Sequence, residues 1–208
     1  MPALSPPAFR SPRRRVRTCA AAAVAAILVT VSAACSSTPK NVAVVGDSIT
    51  FMTKDQLAAG SDDQWDVAAM PGATAEQMQG SAAELATRPH DQAIVNLGTN
   101  DALRGVPLET TTASLQAIVD AFAGVECVHL VTITEQLPDE DRPAPQAAAA
   151  INEWIRQLDD QRDDVHVIDW QAETEGDGVE LLEADHVHPN AEGSERLVGM
   201  VRDAAGGC

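Results

Sequence analysis

The sequence is poor in aromatic and basic residues. It contains no tyrosine and only three phenylalanines and three tryptophans in 208 residues, so it offers few rings on which nucleic-acid bases could stack. Five of its 14 basic residues lie within the first 17 positions: Arg10, Arg13, Arg14, Arg15 and Arg17. Without them, nine basic residues remain against 31 acids, a net charge of about −22. Such a surface repels nucleic acid, anionic lipid and polyphosphate, so we predict no nucleic-acid partner.

Cysteines are few, and several common motifs are missing. None of the four cysteines forms a C-x-x-C pair, and neither H-E-x-x-H nor G-x-S-x-G occurs. These absences argue against redox catalysis, a zinc knuckle, a zinc protease and the α/β-hydrolase nucleophile elbow. We therefore expect neither a metal nor a cofactor. Cys127 and Cys208 could pair in an oxidising compartment, or remain two unpaired thiols.

The N-terminal apolar segment is too short to span a bilayer. Residues 19–31 form an uncharged run of 13 residues, whereas a transmembrane helix needs about 20. The run follows the arginine cluster and precedes small residues, which is the order of an export signal. We predict that residues 1–34 are a signal peptide and that residues 35–40 are a tether. An uncleaved helical anchor over residues 18–34 is the alternative.

The end of this segment resembles a bacterial lipobox. Ser32, Ala33 and Ala34 precede Cys35, although leucine or valine is usual where Ser32 stands. The resemblance implies that Cys35 is lipidated and attaches the exported protein to the outer face of the cell membrane. Ordinary secretion is the alternative.

From residue 41 onward, apolar segments alternate with helical patterns. We predict strands at residues 42–45, 65–70, 93–97, 125–133 and 165–170. Thr74 and Gln77 have the spacing of a capping box, apolar residues recur at helical spacing within 115–122 and 151–158, and Asn190 could cap a last helix. This alternation predicts one α/β domain over residues 41–208 with a mostly parallel sheet. Two acidic loops, residues 135–145 and 171–184, should lie over its carboxyl edge.

Candidate catalytic residues lie at opposite ends of this domain. In VVGDSIT, residues 44–50, Ser48 follows the first predicted strand and begins a helix. Serine is a weak nucleophile that needs a base, and His188 suits that role. Asp185, three residues earlier, could orient the imidazole. The alternatives are that His186 is the base, that the Asp-His cluster binds a metal, or that Ser48 is only a helix cap.

Four motifs, in chain order, resemble those of the SGNH (GDSL-like) serine hydrolases. They are Gly46-Asp47-Ser48, Gly72, Gly98-Thr99-Asn100-Asp101 and Asp185-His186-Val187-His188-Pro189. The resemblance implies a three-layer αβα, flavodoxin-like fold with a five-stranded parallel sheet. His186 departs from the family pattern, which often has glycine there.

The same resemblance assigns the site. It implies that Ser48 is the nucleophile, His188 the base and Asp185 its orienting carboxylate. It also implies an oxyanion hole made by the backbone N–H groups of Ser48 and Gly72 and the side-chain amide of Asn100. We expect Asp47 and Asp101 to connect loops rather than to react.

These observations predict an exported serine esterase. It would hydrolyse a small-molecule, lipid or glycan ester through an acyl-enzyme, and we expect a monomer. A second hypothesis is an O-acyltransferase, because residues 167–170 followed by a loop and the Asp-His motif resemble SGNH domains that acetylate bacterial cell-wall polysaccharides. A third is a non-catalytic surface lipoprotein that binds glycan or a protein.

Overall fold

The computed structural model describes residues 38–139 and 143–208. Five strands form one parallel sheet in the order β2-β1-β3-β4-β5. They are β1 (Asn41–Gly46), β2 (Gln64–Ala69), β3 (Gln92–Asn96), β4 (Cys127–Val131) and β5 (Val165–Ile168). The predicted signal peptide and Cys35 lie outside the described residues.

Helices cover both faces of the sheet. They are α1 (Ser48–Ala58), α2 (Ala75–Leu85), α3 (Thr99–Arg104), α4 (Leu108–Ala121), α5 (Ala144–Gln161), α6 (Trp170–Glu173) and α7 (Ala191–Gly207), with a 3₁₀ turn at Gly176–Leu181. None of the helices within these described ranges is both long and apolar enough to cross a membrane.

The three layers follow from the two-residue period of the strands. In β1, Val42 and Val44 pack on one side of the sheet with the apolar residues of α1 and α7. Ala43 and Val45 point to the other side, where α2, α4 and α5 cover the sheet. Because both faces are buried, the strands are apolar throughout. The predicted three-layer αβα fold is confirmed.

The strand order creates a crevice at the carboxyl edge. β1 lies between β2 and β3, so the connections that leave β1 and β3 turn to opposite faces of the sheet. Open α/β sheets bind ligands at such a switch point. Ser48 follows β1 and Asn100 follows β3, and both therefore lie at this crevice.

Some predicted boundaries were wrong. β5 ends at Ile168 and not at residue 170, because Asp169 caps α6 and accepts a hydrogen bond from the Ala172 N–H. Asp is a favourable N-cap, and the helix that it starts, together with the 3₁₀ turn, occupies most of the predicted loop 171–184. β4 also spans only Cys127–Val131. The Thr74–Gln77 cap is confirmed, since the Thr74 N–H donates to Gln77 Oε1 at 3.0 Å.

A disulfide joins Cys127 to Cys208. Cys127 begins β4, and Cys208 follows the last residue of α7. The bond therefore attaches the end of α7 to the amino edge of the sheet, opposite the crevice.

Candidate active site

Ser48, His188 and Asp185 are joined by two hydrogen bonds. Ser48 Oγ lies 2.9 Å from His188 Nε2, although the two residues are 140 positions apart. His188 Nδ1 lies 2.7 Å from Asp185 Oδ2. The structure thus brings together the three residues predicted to be nucleophile, base and orienting carboxylate.

The partners of the imidazole determine where its proton lies. A carboxylate can only accept a hydrogen bond, so Nδ1 of His188 carries the proton and donates to Asp185. Nε2 of the neutral ring is then an acceptor, and the Ser48 hydroxyl donates to it. This is the arrangement in which the histidine can remove the serine proton.

Asp185 is held in its charged form. Partial burial raises its pKa, but the hydrogen bonds that it accepts outweigh burial and lower the pKa to about 2. These bonds come from the His188 ring and from the backbone N–H groups of His188 and Val187. The Asp185 carboxylate therefore remains negative at neutral pH.

The loop that carries His188 has a constrained backbone. The Glu183 N–H donates to the His188 carbonyl at 2.7 Å, and the His186 N–H donates to the Glu183 carbonyl at 2.9 Å. His186 has φ 57°, the left-handed region that favours glycine, which explains why glycine suits this position. His186 is exposed, and Ser48 is bonded to His188, so the geometry favours His188 over His186 as the base.

Asp47 connects the first and third motifs. One of its carboxylate oxygens caps α1 by accepting from the Ile49 N–H at 3.0 Å, and the other accepts from Asn100 Nδ2 at 3.0 Å. The side chain is fully buried, and this burial raises its pKa to about 6. Asp47 therefore fixes the orientation of the Asn100 amide, whose second N–H remains available to another acceptor.

Gly72 lies in the loop after β2 with φ 75°. Its carbonyl accepts a hydrogen bond from Arg104 Nη2, which restrains the turn that contains Gly72. The next part of this loop is held by Asp101, a buried residue that accepts from the Ala75 N–H at 3.0 Å and from the Thr111 hydroxyl at 3.1 Å. Asp101 thus connects the second and third motifs, as expected.

The turn between β1 and α1 depends on a residue without a side chain. A Cβ added at Gly46 would overlap the Thr50 side chain, so glycine permits the close return of α1 over the strand. Ser48 is the first residue of α1, and its N–H has no acceptor within the helix. The positive end of the helix dipole lies at the same place.

Sequence reasoning did not identify the residue that holds Gly72, nor the partner of Asp47. Arg104 was not identified, because nothing in its local sequence links it to Gly72, 32 residues earlier. Asp47 was expected to connect loops, but its bond to Asn100 requires knowledge of which strands are neighbours. The adjacency of Asp47 to Ser48 was the only available signal.

Comparisons with known proteins agree with the fold. The model of the GDSL-like lipase/acylhydrolase family matches residues 44–196. No significant match is found among curated proteins. Similar solved structures include a lipolytic protein of the G-D-S-L family from Veillonella parvula, with 19% identity, a TM-score of 0.68 and coverage of 78% of this chain and 96% of the other.

Two other similar structures have named activities. The C-terminal catalytic domain of peptidoglycan O-acetyltransferase A from Streptococcus pneumoniae has 16% identity and a TM-score of 0.64, with coverage of 80% of this chain and 92% of the other. The esterase EstA from Pseudoalteromonas sp. has 20% identity and a TM-score of 0.60, with coverage of 79% and 96%. At these identities the likeness shows the fold alone.

Proposed function

The chain belongs to the GDSL-like lipase/acylhydrolase family, and we propose that it is a serine esterase whose catalytic residues are Ser48, His188 and Asp185. The observation that carries this proposal is the continuous hydrogen-bonded path from Ser48 Oγ through the His188 ring to the Asp185 carboxylate. The substrate would be a carboxylic ester, and the reaction would pass through an acyl-enzyme.

The chemistry follows from the proton positions. His188 Nε2 takes the Ser48 proton as Oγ attacks the ester carbonyl carbon. The imidazolium that forms is stabilised by Asp185, and it then protonates the leaving alcohol. Water, activated by the same nitrogen, attacks the acyl-enzyme and releases the acid.

Three donors would stabilise the negative oxygen of the tetrahedral intermediate. They are the Ser48 N–H at the start of α1, the Gly72 N–H and the second N–H of the Asn100 amide. Each donor is positioned by a different feature. The Ser48 N–H is positioned by the start of α1. Arg104 holds the Gly72 peptide, and Asp47 holds the Asn100 side chain. One such donor typically contributes about 2.7–4 kcal/mol to lowering the barrier.

Hydrolysis of p-nitrophenyl acetate tests this function. We expect Ser48→Ala to abolish turnover above the rate in buffer, because the Ser48 hydroxyl is the proposed nucleophile. Ser81→Ala, which removes an exposed serine on α2, is the matched control and should behave as the wild type. Equal turnover by the wild type and Ser48→Ala would refute the assignment.

An O-acyltransferase is the second candidate. A structure with the same fold is named a peptidoglycan O-acetyltransferase, and transfer differs from hydrolysis only in the acceptor of the acyl group. Residues 167–170, which suggested a transferase, have structural roles in this protein. Asp169 accepts a hydrogen bond from the Thr132 hydroxyl at 2.9 Å, and Trp170 is buried. Acylated chitooligosaccharide formed in excess of free acid would favour the transferase.

We also propose that the protein is exported and lipidated on Cys35. The support is the order of basic, apolar and small residues before Cys35 and the Cys127–Cys208 disulfide, which is typical of oxidising compartments. Mass spectrometry of the protein recovered from membranes of an expressing bacterium tests it. A diacylglyceryl-modified Cys35 at the N-terminus is expected, and an unmodified N-terminus upstream of residue 35 would refute it.

A further inference from the structure

Three exposed apolar side chains lie beside the proposed nucleophile. Within residues 38–139 and 143–208, the large apolar side chains with the greatest exposure are Phe51 at 43%, Met52 at 52%, Met70 at 42% and Leu108 at 45%. The first two follow Ser48 in α1, and Met70 lies two residues before Gly72. Single exposed apolar residues are common, but these three, here called the apolar cluster, all lie within four sequence positions of Ser48 or Gly72.

Helical geometry places two of them on the face of Ser48. Residues three and four positions apart are neighbours on a helix, with about 5–6 Å between their Cβ atoms. Phe51 and Met52 therefore flank Ser48 on the next turn of α1. The Phe51 ring is also held from one side, because Lys54 Nζ lies 4.0 Å from its centroid.

Met70 belongs to the cluster and lies directly after the neighbouring strand, β2. Its N–H donates to the Gly46 carbonyl at 3.1 Å, so its backbone lies against the turn that leads into Ser48. β2 is the outer neighbour of β1, on the side away from β3. The cluster is thus built by the segments that carry Ser48 and Gly72, and not by the loop that carries His188.

The position of the cluster, away from His188, determines which half of an ester it can contact. The leaving alcohol must lie against His188 Nε2, which protonates it, so the acyl chain extends away from His188. We propose that Phe51, Met52 and Met70 form an open binding site for the acyl chain, and that the preferred substrates are esters of short aliphatic acids. This inference rests on the proposed esterase function.

The next turn of α1 limits the chain length. Asp55 and Gln56 are exposed and occupy the same side of the helix, seven and eight positions after Ser48. The apolar surface therefore covers one turn, about 5.4 Å, which an extended chain of about four carbons spans. Butanoate should fill the site, acetate should leave it empty, and longer chains should meet the Asp55 carboxylate.

The test compares p-nitrophenyl esters, which share one leaving group. Each methylene removed from water favours binding about fourfold, and an open surface covers about half of the chain. We expect a kcat/KM for butanoate roughly fourfold above that for acetate, after correction for hydrolysis in buffer, and no further gain for octanoate. Phe51→Ala/Met52→Ala should bring the butanoate-to-acetate ratio close to one, whereas Gln56→Ala should leave it unchanged.

The Asp55→Leu substitution tests whether the site can be extended to accept a longer acyl chain. It extends the apolar surface by one turn, so octanoate should rise above butanoate. An unchanged butanoate-to-acetate ratio in Phe51→Ala/Met52→Ala would overturn the inference while leaving the esterase assignment intact, because acetate turnover reports that assignment separately. The ratio is also independent of the fraction of folded enzyme.

A lipid surface is the other occupant that such a cluster could meet. Sedimentation with neutral phosphatidylcholine vesicles distinguishes binding to a lipid surface from binding of an acyl chain. We expect no vesicle binding by residues 38–208 and a preserved chain-length preference with monomeric esters. Binding that is lost in Phe51→Ala/Met52→Ala, together with an unchanged ester ratio, would contradict the acyl-chain site.

Discussion

Replacement of Asp47 by asparagine should alter how stability depends on pH. The carboxyl is fully buried, and burial raises its pKa from 3.8 to about 6. Between about pH 4 and pH 6 the folded protein therefore keeps a proton that the unfolded chain releases, so the unfolding free energy falls as pH rises. The difference between the two pKa values corresponds to about 3 kcal/mol.

Asparagine does not titrate, so the Asp47→Asn protein does not lose this unfolding free energy as pH rises. Its unfolding free energy relative to the wild type should increase by about 3 kcal/mol between pH 4 and pH 7.5, a relative rise in Tm of about 6–12 °C. Urea unfolding at each pH measures the difference directly. Asp62→Asn, at an exposed site, controls for the removal of one negative charge from an acidic protein. Parallel stability curves for the wild type and Asp47→Asn would refute the reasoning.

The same substitution should reduce activity. The carboxylate accepts from both the Ile49 N–H and the Asn100 amide, and an asparagine side chain can offer its single oxygen to only one side. Either the helix cap or the hold on Asn100 is then lost. We expect a fall in kcat at pH 8, and an unchanged kcat would show that Asp47 does not position Asn100.

Three further outcomes are expected. Asn100→Ala should lower kcat by about 10²–10³ with a smaller change in KM, because the amide stabilises the oxyanion; steady-state kinetics would contradict this if kcat were retained. Cys208→Ser should cost about 3–4.5 kcal/mol in urea unfolding, since the disulfide with Cys127 closes a sequence separation of 81 residues; no change under oxidising conditions would oppose it. His186→Gly should raise stability by up to about 1 kcal/mol, because φ 57° suits glycine, and a large drop in Tm would contradict this.

The fold and the gathering of the site could be predicted because they depend on repeated patterns. Parallel strands present their carboxyl ends at one edge, so motifs that follow β1, β2 and β3 must converge there. Asp185 and His188 could be placed because they lie three positions apart in one loop. The uninterrupted apolar run of residues 42–45 likewise indicated a strand buried on both faces.

Other features depend on contacts that no local pattern records. The bond from Arg104 to the Gly72 carbonyl joins the last residue of α3 to the loop after β2, and its existence depends on how α3 is placed against that loop. Residues 171–184 were predicted to be a loop, because α6 and the 3₁₀ turn are too short to show an apolar period. The exposure of Phe51 and Met52 was also not foreseen, since apolar residues in a helix are ordinarily assigned to the core.

Covalent labelling tests most directly whether Ser48 is an activated nucleophile. A fluorophosphonate reacts with a serine only when a base removes its proton, and intact-mass and peptide analysis locate the adduct. We predict one adduct per wild-type molecule, on Ser48, and sharply slower labelling in the folded His188→Asn protein. A folded wild type that forms no adduct, or an adduct that persists in Ser48→Ala, would contradict the account.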